Sequence, residues 1–108
     1  MTRLLDITGG DQGFVDELID TFIEDATGQI DALRSAATAG QPAAIVRPAH
    51  SLKSNAANVG ATVLGDLARG LETDGRTGDI PDVAGRVRSV ETEFAAVRDA
   101  LLAERAAR

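Results

Sequence analysis

The chain contains one histidine, His50, set in the run Ala49-His50-Ser51-Leu52-Lys53-Ser54-Asn55-Ala56-Ala57-Asn58-Val59-Gly60. An imidazole with a free lone pair is a nucleophile near neutral pH, so its surroundings decide whether it does chemistry. On a helix over residues 43–59, Ile45, Ala49, Leu52, Ala56 and Val59 fall on one stripe at spacings of four and three, which predicts a core seam. His50 falls away from that stripe, among Arg47, Ser51, Ser54 and Asn58, and is expected to face solvent. Ser54 and Ala57 on the same side are small, which leaves the ring edge open to a bulky partner. Lys53, three residues on, brings a cation within reach of whatever the ring carries.

The next helix is expected to return alongside this one after a turn at Gly60 and Ala61. Residues equidistant from the turn then become neighbours, placing position 72 opposite 50 and 69 opposite 53. Glu72 is thereby predicted beside His50, and Arg69, Glu72 and Arg76 share one helix face at spacings of three and four. With Arg47 and Lys53 they concentrate positive charge around the histidine of a chain whose net charge is −6. A solvated face of ion pairs to Glu72 would explain the same arginines without any chemistry.

His50-Ser51-Leu52-Lys53-Ser54, then Ala57-Asn58-Val59-Gly60-Ala61, then Leu64, Leu67 and Leu71-Glu72 resemble the signature of histidine-containing phosphotransfer (HPt) domains. That family shuttles phosphoryl groups between receiver domains. Many members have glycine where Ser54 stands, and serine is still small. The resemblance implies that His50 is the phosphoacceptor through the ring nitrogen remote from its backbone. It implies that Glu72 accepts a hydrogen bond from the other ring nitrogen and that Lys53 stabilises the phosphoryl oxygens. Arg47, Ser51, Ser54, Ala57, Arg69 and Arg76 are expected to form the surrounding binding surface. The implied partners are response-regulator receiver domains and a hybrid histidine kinase. Magnesium is expected on the receiver, with no cofactor on this chain, which is expected to be a monomer. Two other readings stand beside this one: the phosphotransfer domain of a chemotaxis-type kinase, fed by an attached ATP-binding domain, and a helical adaptor without chemistry.

Composition narrows the field. At 108 residues and 44% hydrophobic, the chain has the size and make-up of one globular domain. Without cysteine it has neither disulfides nor thiolate ligands, and a solitary histidine with no acidic cluster beside it does not build a zinc site. The negative charge and the lack of Trp and Tyr argue against nucleic acid as a partner. No glycine-rich phosphate loop is present, so the chain is not expected to phosphorylate itself. No apolar run is long enough for a membrane span and no secretory signal is visible, from which a cytoplasmic protein is expected.

Four helical patterns follow in order, predicting an all-α, antiparallel up-down four-helix bundle with a short N-terminal lead segment, as a single domain over 1–108. The lead carries Leu4, Leu5 and Ile7 before Gly9-Gly10, and Leu4 and Ile7 are candidates for apolar contact with a partner. Helix one is expected from Asp11 to about Ala39, with Phe14, Leu18, Phe22, Ala26, Ile30, Leu33 and Ala37 on its stripe, widened by Val15, Ile19 and Ile23. Gly28 is a candidate bend. Gln41-Pro42 opens helix two, and Pro48 predicts either a kink near 44–47 or a late start. Gly60 is expected to cap helix two in the left-handed conformation, and Thr62 to open helix three with Leu64, Leu67, Ala68 and Leu71 inward. Residues 74–78 read as a turn, and Asp79 as the cap of helix four with Pro81 in its first turn. Val83, Val87, Val90, Phe94, Val97 and Leu101 give the fourth stripe, and residues 104–108 are expected to fray.

Overall fold

The computed structural model describes residues 12–107. The lead segment with Leu4 and Ile7, Asp11 and Arg108 lie outside the described residues. The described residues form four helices: α1 (Gln12–Ala39), α2 (Pro42–Asn58), α3 (Thr62–Thr77) and α4 (Val83–Ala106). Each packs on its neighbour in sequence, and α1 closes the ring against α4. Connections of two to five residues force neighbours to run antiparallel, so the result is the up-down bundle that the four apolar stripes predict.

The core is built from those stripes. Ile45, Ala49, Leu52 and Ala56 of α2 are buried together with Leu64, Ala68 and Leu71 of α3 and Val87, Val90, Phe94, Val97 and Leu101 of α4. Leu52 and Leu71 have no exposed surface, and truncating such a side chain to alanine costs about 2–5 kcal/mol in lost transfer energy and cavity. Phe22 and Phe94 meet between α1 and α4 with ring centroids 5.9 Å apart and tilted by 48°.

In α1 the buried line is Val15, Ile19, Phe22, Ala26, Ile30, Leu33 and Ala36, so the expected phase is corrected at both ends. Phe14 is 52% exposed, Leu18 only packs at the edge of the core, and Ala37 gives way to Ala36. Successive spacings of four drift by about 40° each, whereas alternation of four and three keeps to one side. Gly28 does not interrupt the helix.

Helix α2 starts at Pro42 and runs through Pro48, so the late start does not occur. Pro48 deprives the Ala44 carbonyl of its usual donor, but Ala44 is exposed and water can satisfy it. At the other end Gly60 takes φ 70°, its amide donates to Ala57 O at 3.2 Å, and the Ala61 amide donates to Ala56 O at 2.9 Å. This left-handed cap reverses the chain within three residues and lays α3 directly along α2.

Residues 74–77 are not the expected turn, because α3 continues to Thr77. Gly75 is buried where the first turn of α2 passes. A Cβ there would stand 3.0 Å from Val46 Cγ2 and 3.1 Å from Pro42 O, so this glycine permits close packing and does not break the helix. The cap of α4 is also displaced, from Asp79 to Asp82, whose carboxylate accepts from the Gly85 amide at 3.3 Å. Ile80 is drawn against the core and Pro81 sits in the turn that precedes the helix. Helix α4 extends to Ala106, into the tail expected to fray. Arg105 ties it to α1, donating to Asp16 O at 2.7 Å and to Asp20 Oδ1 at 2.9 Å.

Candidate functional site

Helix α2 presents His50 outward because the core claims Ala49 and Leu52 of the same turn. The imidazole side chain is 56% exposed, as the stripe predicts. Across the hairpin, α3 brings Glu72 to it, and the Glu72 side chain is only 7% exposed. Among the described residues, Glu72 alone of the charged residues is buried. A buried carboxylate needs partners for its charge, and here it has three. His50 Nδ1 lies 2.8 Å from Oε2, Arg76 Nη2 donates to the same oxygen at 2.7 Å, and Lys53 Nζ lies 2.7 Å from Oε1.

These bonds set the protonation states. Lys53 first, then Arg76, hold the Glu72 carboxyl well below the usual carboxylate range, at about 2, against the opposing effect of burial and with help from His50. An ionised carboxylate can only accept hydrogen bonds, so the proton of this contact belongs to His50 Nδ1. In the neutral ring the lone pair is then on Nε2, the nitrogen remote from the backbone. The constellation is an exposed nucleophilic nitrogen, a buried carboxylate to offset positive charge on the ring, and two cations beside them.

The remaining sequence-predicted residues distribute unevenly. Arg47 and Ser54 are exposed and Ser51 is half-buried, all within one turn of His50 on α2, with Ala57 exposed one turn further on. Arg76 joins the cluster, but Arg69 does not. Its guanidinium turns to Asp66 at 2.5 Å, one turn back on α3, and both side chains are largely exposed. Asp66 is the residue the sequence reading passed over, although its i, i+3 spacing to Arg69 is the ordinary signal for such a pair. Ala57, Gly60 and Gly65 floor a shallow depression between Lys53 and the Arg69–Asp66 pair. The described residues contain no group of three or more His, Cys, Asp or Glu able to hold a metal ion, and no helix long and apolar enough to cross a membrane.

Comparison with known proteins agrees with this geometry. The Hpt domain family matches residues 17–101. The structure is similar to that of histidine-containing phosphotransfer protein B (HptB) from Pseudomonas aeruginosa PAO1, with a TM-score of 0.85 and 30% sequence identity. The match covers 97% of this chain and 89% of that one. No curated protein sequence gives a significant match. With the family matched across most of the chain and the fold shared almost end to end, this chain belongs to the Hpt domain family, the histidine phosphotransfer proteins of phosphorelays.

Proposed function

We propose that His50 Nε2 accepts a phosphoryl group from the aspartyl phosphate of a response-regulator receiver domain and passes it to another receiver. The observation that carries this reading is the 2.8 Å contact between His50 Nδ1 and the ionised Glu72, on a ring that is otherwise half open to solvent. The Nε2 lone pair forms the bond to phosphorus while the bond from phosphorus to the aspartyl oxygen breaks, its electron pair returning to the receiver's carboxylate. The ring thereby gains positive charge, which the Nδ1–H···Glu72 contact offsets. Lys53 turns from Glu72 Oε1 to the phosphoryl oxygens, where its charge stabilises the negative charge of the transition state. Magnesium is contributed by the receiver. Arg47, Ser51, Ser54 and Ala57 form the surface the receiver covers, Arg69 lies at its margin, and the protein works as a cytoplasmic monomer.

The test is incubation with a phosphorylated receiver domain and, separately, with a histidine kinase and ATP. Labelling from the receiver, acid-labile and lost in His50→Gln, is the expected result. Labelling only from a kinase with ATP would favour the chemotaxis-type arrangement. An acid-stable label, or full labelling of His50→Gln, would rule out phosphohistidine, and no labelling from either source would favour an adaptor.

A further inference from the structure

Arg76 shares one oxygen of Glu72 with the histidine. Its Nη2 donates to Oε2 at 2.7 Å while His50 Nδ1 approaches the same atom at 2.8 Å, and Lys53 holds Oε1. The carboxylate therefore has one cation on each oxygen, Lys53 from α2 and Arg76 from α3. The terminal torsion of a glutamate is broad and two-fold, so the aim of Oε2 at the ring depends on these partners. The two cations are not equivalent. On the phosphotransfer reading above, on which this inference rests, Lys53 leaves Oε1 for the phosphoryl group as the ring attacks. Arg76 sits one turn along the same helix as Glu72, and its i, i+4 contact does not depend on events on α2.

We propose that Arg76 is a positioning residue for phosphotransfer, holding Glu72 Oε2 on His50 Nδ1 while Lys53 is engaged by the phosphoryl group. Lys53 and Arg76 thus divide the work, one moving to the reacting group and the other keeping the ring aimed. An ion pair that merely supported α3 would affect neither the ring nor the transfer rate. Arg76 is 62% exposed, so its replacement leaves the core untouched.

Arg76→Gln and Arg76→Lys, each made in the natural and the Lys53→Ala background, separate these roles. The first readout is the ¹⁵N spectrum of the His50 ring in mildly alkaline buffer, where an ordinary imidazole is neutral and the signals report which nitrogen carries the proton. Lys53→Ala alone is expected to keep the Nδ1-protonated form. Adding Arg76→Gln should give a mixture of both tautomers, and Arg76→Lys in that background should largely restore the single form. The second readout is transfer from a phosphorylated receiver, expected to slow roughly tenfold in Arg76→Gln, as loss of alignment at a reacting group does, with Arg76→Lys recovering most of it. A ring spectrum of the Lys53→Ala, Arg76→Gln variant identical to that of Lys53→Ala overturns the proposal. So does an Arg76→Gln variant that transfers at the natural rate. Failure of the natural protein to accept phosphate sinks the phosphotransfer reading and with it any role in transfer, leaving the ring spectra to decide whether Arg76 holds Glu72.

Discussion

Three residues divide the proposed chemistry, and their loss should be felt in a definite order. His50 forms the bond and has no substitute in a chain with neither a second histidine nor a cysteine, so His50→Gln should abolish labelling. Removal of one preorganised donor from a sheltered site costs about 3 kcal/mol. The site here is open until a receiver docks, so Lys53→Ala should slow transfer by roughly tenfold to a hundredfold. Glu72→Ala should slow it less, because Glu72 acts through the ring. Rates of transfer from one phosphorylated receiver to each variant check this order. Glu72 also makes a prediction about stability. Its carboxyl titrates at about 2 in the fold against an ordinary value of 4.5, so the ionised form is favoured by folding. The unfolded chain takes up this proton first on acidification, so the contribution is complete above about pH 4.5 and is lost as pH falls to about 2. Urea unfolding across this range should show the difference between the natural protein and Glu72→Gln shrinking as pH falls. The exposure of His50 and its pairing with Glu72 were legible from the Ile45-to-Val59 stripe and the register of the hairpin. The destinations of Lys53 and Arg69 were not, because offsets along a helix define which side chains are within reach but not which of several carboxylates each will choose.

At the scale of helices, the distance between α2 and α3 decides whether His50 and Glu72 meet, and Gly75 sets that distance near the start of α2. Gly75→Ala gains about 1 kcal/mol in helix propensity and forces its neighbours apart by only a few tenths of an ångström. Gly75→Leu, in contrast, should lower unfolding stability by about 1–3 kcal/mol through overpacking against Val46 and the Pro42 carbonyl, and slow transfer by spreading the hairpin. Denaturant unfolding measures the first and the receiver assay the second. Ser54 is exposed, so Ser54→Arg should leave the circular dichroism spectrum unchanged and block transfer by standing on the proposed docking face; normal transfer by this variant would mean the docking face lies elsewhere. Gly75 also shows where sequence reading fails. Asp74-Gly75-Arg76-Thr77-Gly78 has the composition of a turn, yet the close packing that glycine permits at 75 is against a segment thirty or so positions earlier. The phase of α1 failed for a different reason. Phe14 and Val15, like Leu18 and Ile19, offer two adjacent apolar lines, and only the partner helices select between them.

The described residues form a rod of 43 × 18 × 17 Å, closed along its length by contact of α1 with α4. Arg105 locks that seam at one end through Asp16 and Asp20. Arg105→Ala should therefore speed amide hydrogen exchange in the last turn of α4 while leaving the α2–α3 hairpin, and phosphotransfer, unchanged. The proposed docking face lies around a single histidine on one flank of this rod. Donor and acceptor receivers must then occupy the same ground, and no ternary complex can form around His50. Exchange between two receivers should accordingly follow ping-pong kinetics, with parallel double-reciprocal plots, and excess unphosphorylated acceptor should inhibit by occupying the protein before its donor arrives.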